Sequence, residues 1–138
     1  MKAMRISITL ILLPLLVNYI VCFDEGGANI EHQWSSGFIG KFSITPGADL
    51  SKGWNMIVTF SQPIQKLEVW QANLQTKNKE NTVFVLKNGR WNKQLDQGQK
   101  CEFNFKATKI GRGNPQIVEV AVGRTEDMEG LSCRRCRS

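Results

Sequence analysis

Through most of the chain beyond residue 30, apolar and polar positions alternate with the period of a β-strand, in which successive side chains point to opposite faces. Phe38, Phe42 and Ile44 alternate with Ile39, Lys41 and Ser43. Trp54, Met56, Val58 and Phe60 share one apolar face while Asn55 and Thr59 point away. Beyond Pro63 the same period puts Leu67 with Val69 and leaves Trp70 on the side of Glu68. Val83 to Lys87 is a continuous apolar strand; Cys101, Phe103 and Phe105 line a further one, and Val118, Val120 and Val122 share one face of the last. Turn residues punctuate these runs at Pro46-Gly47-Ala48-Asp49, at Asn88-Gly89 and from Gly111 to Pro115. Thr76 to Asn81, polar and charged throughout, reads as a solvated loop. No helical period of useful length and no repeat interrupts the series. The expectation is an all-β domain of about 90 residues, an antiparallel β-sandwich of Ig-like or jelly-roll-like form.

The two ends read differently from the middle. Lys2 and Arg5 precede an apolar run from Ile6 to Val21 that contains Pro14 and Asn18, followed by the polar Asp24-Glu25-Gly26-Gly27. This is the form of a secretory signal peptide, and the run is short for a membrane span of about 20 residues. The expected organisation is a signal over 1–22, a leader over 23–29, the folded module over 30–122, and a flexible tail over 123–138 in which Cys133 and Cys136 stand among Arg134, Arg135 and Arg137. Cleavage after Cys22 or within Gly26 to Ala28 removes one of the four cysteines. Cys101 alternates with Phe103 and Phe105 and reads as a small core residue. Cys133 and Cys136 pair with each other, or one of them pairs with Cys101. With a single histidine in the chain, the ligands for a zinc site are not at hand. No cofactor is expected.

Charge narrows the partners. The 18 basic residues less Lys2 and Arg5 leave 16 against 12 acidic ones, a formal charge of +4 on the processed chain. Those charges are interspersed rather than gathered into a stripe, which argues against nucleic acid. Of the four tryptophans, Trp54 lies on an apolar face and is expected in the core. The other three have polar neighbours: Trp34 follows His32 and Gln33, Trp70 falls on the polar side of its strand, and Trp91 lies between Arg90 and Asn92 in a loop. An indole offered to water marks a contact surface. Its flat, electron-rich face complements the C–H face of a pyranose, with amides and charges nearby to meet the hydroxyls.

In these contexts, Gln33-Trp34-Ser35-Ser36-Gly37-Phe38, Gly53-Trp54, Val69-Trp70-Gln71-Ala72, and Trp91-Asn92 followed by Leu95, Gly98, Phe103 and Phe105, the chain resembles the family 2 carbohydrate-binding modules of the cellulose-binding type, over about Ile30 to Val122. The resemblance implies a β-sandwich with Trp54 buried and with Trp34, Trp70 and Trp91 forming a flat cellulose-binding strip. It also implies that Gly37 lets the Trp34 ring lie flat for crystalline cellulose, and that a bulky side chain there would rotate the ring while sparing the fold. Lys41, Glu68, Glu102 and Lys106 stand where such modules often carry amides, and with His32 they complete the expected polysaccharide contacts.

Three functions follow in order of expectation. The first is a secreted, non-catalytic binder of cellulose or a related insoluble β-glucan, similar to the small stand-alone cellulose-binding proteins of plant-parasitic nematodes. The second is a wall-targeted interaction protein that binds chitin, xylan, pectin or a host cell-wall protein. The third, an enzyme, is disfavoured, because a glycosidase needs two carboxylates across a cleft and a flat strip has none. No membrane association is expected once the signal is removed.

Overall fold

The computed structural model describes residues 24–125. The expected signal segment and the Cys133–Cys136 pair lie outside the described residues. Among the described residues nine strands run in chain order: β1 (Asp24–Glu25), β2 (Gly27–Trp34), β3 (Gly37–Ile44), β4 (Trp54–Phe60), β5 (Ile64–Val69), β6 (Ala72–Lys77), β7 (Val83–Asn88), β8 (Cys101–Lys109) and β9 (Ile117–Arg124). They form two sheets in which every pairing is antiparallel, one ordered β1-β9-β4-β7-β6 and the other β2-β3-β8-β5. The architecture is the expected all-β sandwich.

The alternation in the sequence explains the core. The inner face of β3 contributes Phe38, Phe42 and Ile44, that of β4 Trp54, Met56, Val58 and Phe60, and that of β8 Phe103, Phe105 and Ala107, all buried. The rings interlock: Phe42 stacks on Phe105 with centroids 4.1 Å apart, and Trp54 meets Phe103 at 5.2 Å with the planes tilted by 60°. Cys101 packs against this cluster at the start of its strand, and burial, followed by the nearby Asp96 carboxylate, pushes its thiol pKa up.

Four local expectations differ from what is observed. The stretch read as a loop from Thr76 begins inside a strand, since β6 pairs with β7 from Ala72 to Lys77. Its side chains beyond Ala72 are exposed, so this edge strand carries no buried face to show in the pattern. Asn55 does point away from the core, yet it is buried, because its amide donates to the Gln75 side chain at 2.7 Å and to the Leu86 carbonyl at 3.2 Å. Val118, expected on one face with Val120 and Val122, is 64% exposed, because the register against β4 passes from Glu119 opposite Thr59 to Ile117 opposite Phe60, so that Val118 is bulged out and Ile117 packs against the core in its place. Strand β1 flanks β9 only at Ala121 and Val122, and a groove of about 390 Å³ opens between the remainder of β9 and β2, beside Ile30, Gln33 and Val118. Finally, sheet pairing starts at Asp24, within the 23–29 stretch expected to precede the module, and runs on to Arg124. The chain leaves β1 at Gly26 and enters the other sheet as β2, so one N-terminal segment serves both sheets.

Candidate functional site

The outer face of the β2-β3-β8-β5 sheet gathers most of the residues singled out in the sequence. Opposed residues in an antiparallel pair point to the same side, and the inner residues of β3 and β8 are fixed by burial, so the outer set follows from register. Across β2 and β3, Trp34 opposes Gly37 and His32 opposes Ile39. Across β3 and β8, Ile39 opposes Lys106, Lys41 opposes Asn104 and Ser43 opposes Glu102. On the far side of β8, Glu68 opposes Lys106, and the Trp70 backbone N–H donates to the Asn104 carbonyl at 3.0 Å. His32, Trp34, Lys41, Glu68, Trp70, Glu102 and Lys106 therefore share one face.

Two bulges make this so. In β2 the register passes from Ile30 opposite Gly40 to His32 opposite Ile39, leaving Glu31 without a partner. A bulged residue reverses the alternation that follows it. Ile30 points inward, and without the extra residue Trp34 would do the same. The bulge puts Trp34 outside and brings the Glu31 carboxylate to 3.8 Å from the Lys41 ammonium. A second bulge in β5, at Gln65, sets Leu67 and Val69 inward and Glu68 outward.

Trp34, Trp70 and Trp91 are 40, 60 and 70% exposed, whereas Trp54 is fully buried. Trp34 lies in the row of Thr108 and Trp70 in the row of Asn104, three strands away. With strands about 4.8 Å apart and about 3.4 Å per residue along them, these rings stand at opposite corners of the face, on the order of 20 Å from each other. Trp91 belongs to the loop after β7, and that loop is tied to the turn that carries Trp70. The Asn92 side chain donates to the Gln71 carbonyl at 2.7 Å and accepts from the Gly89 N–H at 2.7 Å, while the Asn92 carbonyl accepts from the buried Trp54 indole N–H at 2.7 Å. Gln71 also accepts, through its side chain, from the Asn104 N–H at 3.0 Å. A shallow groove of about 310 Å³ lies beside Trp70, lined by Glu31, Ile39, Gln71 and Asn104 among others.

The polar part of the face is charged in alternating signs. Lys41 pairs with Glu31, Lys66 with Glu68 at 3.4 Å, and Lys100 with Glu102 at 3.9 Å, all partly exposed. Such pairs contribute about 0–1 kcal/mol each. They leave their outer oxygens and ammonium protons free to exchange water for hydroxyls. Among the described residues, no cluster of three or more His, Cys, Asp or Glu is placed to hold a metal ion.

The role expected for Gly37 needs correction. A Cβ at this position would stand 3.3 Å from the Trp34 ring, so the ring does lie over the glycine, but it would also stand 2.5 Å from the Ala107 carbonyl oxygen on the neighbouring strand. A side chain there displaces backbone, and ring and strand cannot be perturbed separately. Gln71, Asn92 and Asn104 enter the site as supports. Their amides sit beside the tryptophans in sequence or in register, but nothing in the apolar alternation says which loop each would tie.

Residues 27–125 match the family model of the cellulose binding domain, CBM_2. The chain belongs to this family. No curated protein matches it. Among solved structures, this cellulose-binding domain is similar in fold to chitinase ChiA74 from Bacillus thuringiensis, with a TM-score of 0.55 and 19% identity over 71% of this chain and 15% of that one. It is similar also to the chitin-binding domain of a chitinase from Pyrococcus furiosus, with a TM-score of 0.50 and 20% identity over 72% of this chain and 93% of that one. The chain thus spans less than a sixth of ChiA74. The family is one of carbohydrate-binding modules, generally without catalysis, and polysaccharide is the ligand class of this domain.

Proposed function

We propose that this protein is a secreted, non-catalytic module that adsorbs to crystalline cellulose of the plant cell wall through Trp34, Trp70 and Trp91. The observation that carries the reading is the exposure of these three indoles, two of them on one sheet face and the third on a loop tied to the second, in a domain whose fourth tryptophan is fully buried. Each ring offers a flat apolar surface to a glucan chain, worth about 1–2 kcal/mol by comparison with other stacked aromatic contacts. The glucan chains of a crystal are pre-ordered, so stacking on several rings at once loses little conformational entropy in the ligand. His32, Lys41, Glu68, Glu102 and Lys106, spread over the same face, bond hydroxyls at the edges of the stacked sugars.

Absence of catalysis fits the same surface. Glu31, Glu68 and Glu102 each sit beside a lysine on a shallow face, whereas glycoside cleavage calls for two carboxylates on opposite sides of the bond. The apolar segment before Asp24 supports export, which N-terminal sequencing of the product from a secreting host checks.

The deciding experiment is adsorption of the processed protein to microcrystalline cellulose, chitin, xylan and pectin side by side, with a Trp34→Ala/Trp70→Ala/Trp91→Ala variant as control. Preferential adsorption to cellulose that the variant loses supports the reading. Preference for chitin, or for pectin with release by salt, replaces the ligand. Adsorption retained by the triple variant removes the rings and turns attention to the charged surface and to a wall protein.

A further inference from the structure

Two of the exposed rings, Trp70 and Trp91, lie on different loops, and nothing in their own strands fixes one against the other. Trp70 stands just beyond β5 and Trp91 in the loop after β7, on separate sheets. Asn92 spans the gap with three polar groups at once. Its side-chain amide donates to the carbonyl of Gln71, the residue after Trp70. Its side-chain oxygen accepts from the N–H of Gly89, on the other side of Trp91. Its own carbonyl accepts from the Trp54 indole, which is anchored in the core. The Trp54 backbone N–H in turn donates to the Asn88 side chain at 3.0 Å, so both ends of the Trp91 loop are fastened to one buried residue.

We infer that Asn92 is a positioning residue that sets the spacing of the Trp70 and Trp91 rings and so selects ordered, flat polysaccharide surfaces over single soluble chains. The inference rests on the reading of these rings as the binding strip. A rigid glucan surface rewards rings held at one spacing, because neither ligand nor protein then loses freedom on contact. A soluble chain adjusts itself to rings that move, so it is indifferent to the tie. The donor is the informative group. In Asn92→Asp the bond to Gly89 and the bond from Trp54 are retained, while the donor to Gln71 is replaced by a carboxylate oxygen facing a carbonyl.

The test uses the processed protein and the variants Asn92→Asp, Trp70→Ala and their combination. Asn92→Asp is expected to weaken adsorption to microcrystalline cellulose about five- to tenfold, as for loss of one part-buried hydrogen bond with an unpaired carbonyl left behind. Binding of soluble cello-oligosaccharide should change by less than about twofold. In the Trp70→Ala background the further loss from Asn92→Asp should also shrink below about twofold, since its effect passes through that ring. Equal losses with and without Trp70, or a folded Asn92→Asp that adsorbs like the parent, overturn the inference. A variant that unfolds altogether does so too, because Asn92 then belongs to the fold rather than to the strip. Should the parent adsorb to none of the polysaccharides, the strip itself fails, and 5-fluorotryptophan NMR decides Asn92 separately. Trp70 and Trp91 resonances that move together in Asn92→Asp uphold the tie, and movement of Trp91 alone removes it.

Discussion

The indole N–H of Trp54, buried between the sheets, donates to the carbonyl of Asn92 at 2.7 Å, next in sequence to the most exposed tryptophan of the described chain. Core and surface are joined by that bond. The residue that contributes most volume to the interior also holds the loop that presents Trp91. Trp54→Ala therefore removes a packing partner of Phe103 and a loop anchor together, and should cost about 3–5 kcal/mol, a large share of the stability of a domain of this size. Trp54→Phe keeps much of the packing and loses the anchor. Thermal melts should rank parent, Phe and Ala in that order, and an unchanged melt for Trp54→Ala would overturn the assignment.

Trp34→Ala, Trp70→Ala and Trp91→Ala should each melt within a few degrees of the parent, since exposed side chains lie outside the packed core. Each should weaken adsorption to crystalline cellulose by about tenfold. Isotherms paired with melts separate the two effects.

Gly89 gives a finer test of ring placement. A Cβ there would meet the Trp91 ring at 2.6–2.9 Å, and the atoms it meets are the far end of an exposed side chain. Gly89→Ala should thus displace the ring at little cost to stability while weakening adsorption severalfold. Gly37→Ala differs, because the Ala107 carbonyl stands in the way. It should lower the melting temperature and weaken adsorption together. Equal melts for both variants would contradict this distinction.

Deletion of Glu31 removes the extra residue of the bulge and should turn Trp34 to the other side of β2. Every residue of β2 is exposed, so the domain should remain folded. Adsorption should fall to the level of Trp34→Ala. If it stayed at the parent level in a folded protein, the bulge would not be what places the ring.

Cys101 should resist alkylation in the folded protein. Its thiol pKa is raised, by burial first and Asp96 second, so the thiol is favoured over the thiolate relative to the unfolded chain. The sign follows: its contribution to stability is fully present below the unfolded thiol's pKa and fades as pH rises through the folded one. Peptide mapping after iodoacetamide treatment at pH 8.5 should find Cys101 modified more slowly in native than in denatured protein.

The sandwich and its core were legible in the sequence because a buried strand writes its period in apolar residues, as β3, β4 and β8 do. Strand β6 was not, since an edge strand with a solvated outer side has no such face to write. The burial of Trp54 and the exposure of Trp70 followed from parity alone. Trp34 was harder: Ile30, His32 and Trp34 fall on one side of an unbroken strand, and only the unpaired Glu31 separates them. The ties through Gln71, Asn92 and Asn104 join residues distant in sequence through main-chain groups, and no residue type announces those.

Gly26 marks the place where one continuous segment leaves the edge of β9 and joins the sheet that carries Trp34 and Trp70. The last described residue, Thr125, follows β9, which lies between β1 and β4 in the opposite sheet. The Thr125 N–H donates to the Gly53 carbonyl at 3.3 Å, next to the Trp54 whose indole holds the Trp91 loop, so a molecule gripped by Trp91 and tugged from Thr125 would pass the pull through a few bonds at one end of the sandwich rather than along β9. The path from Thr125 to that ring is short and leaves the stacked phenylalanines of the core outside it.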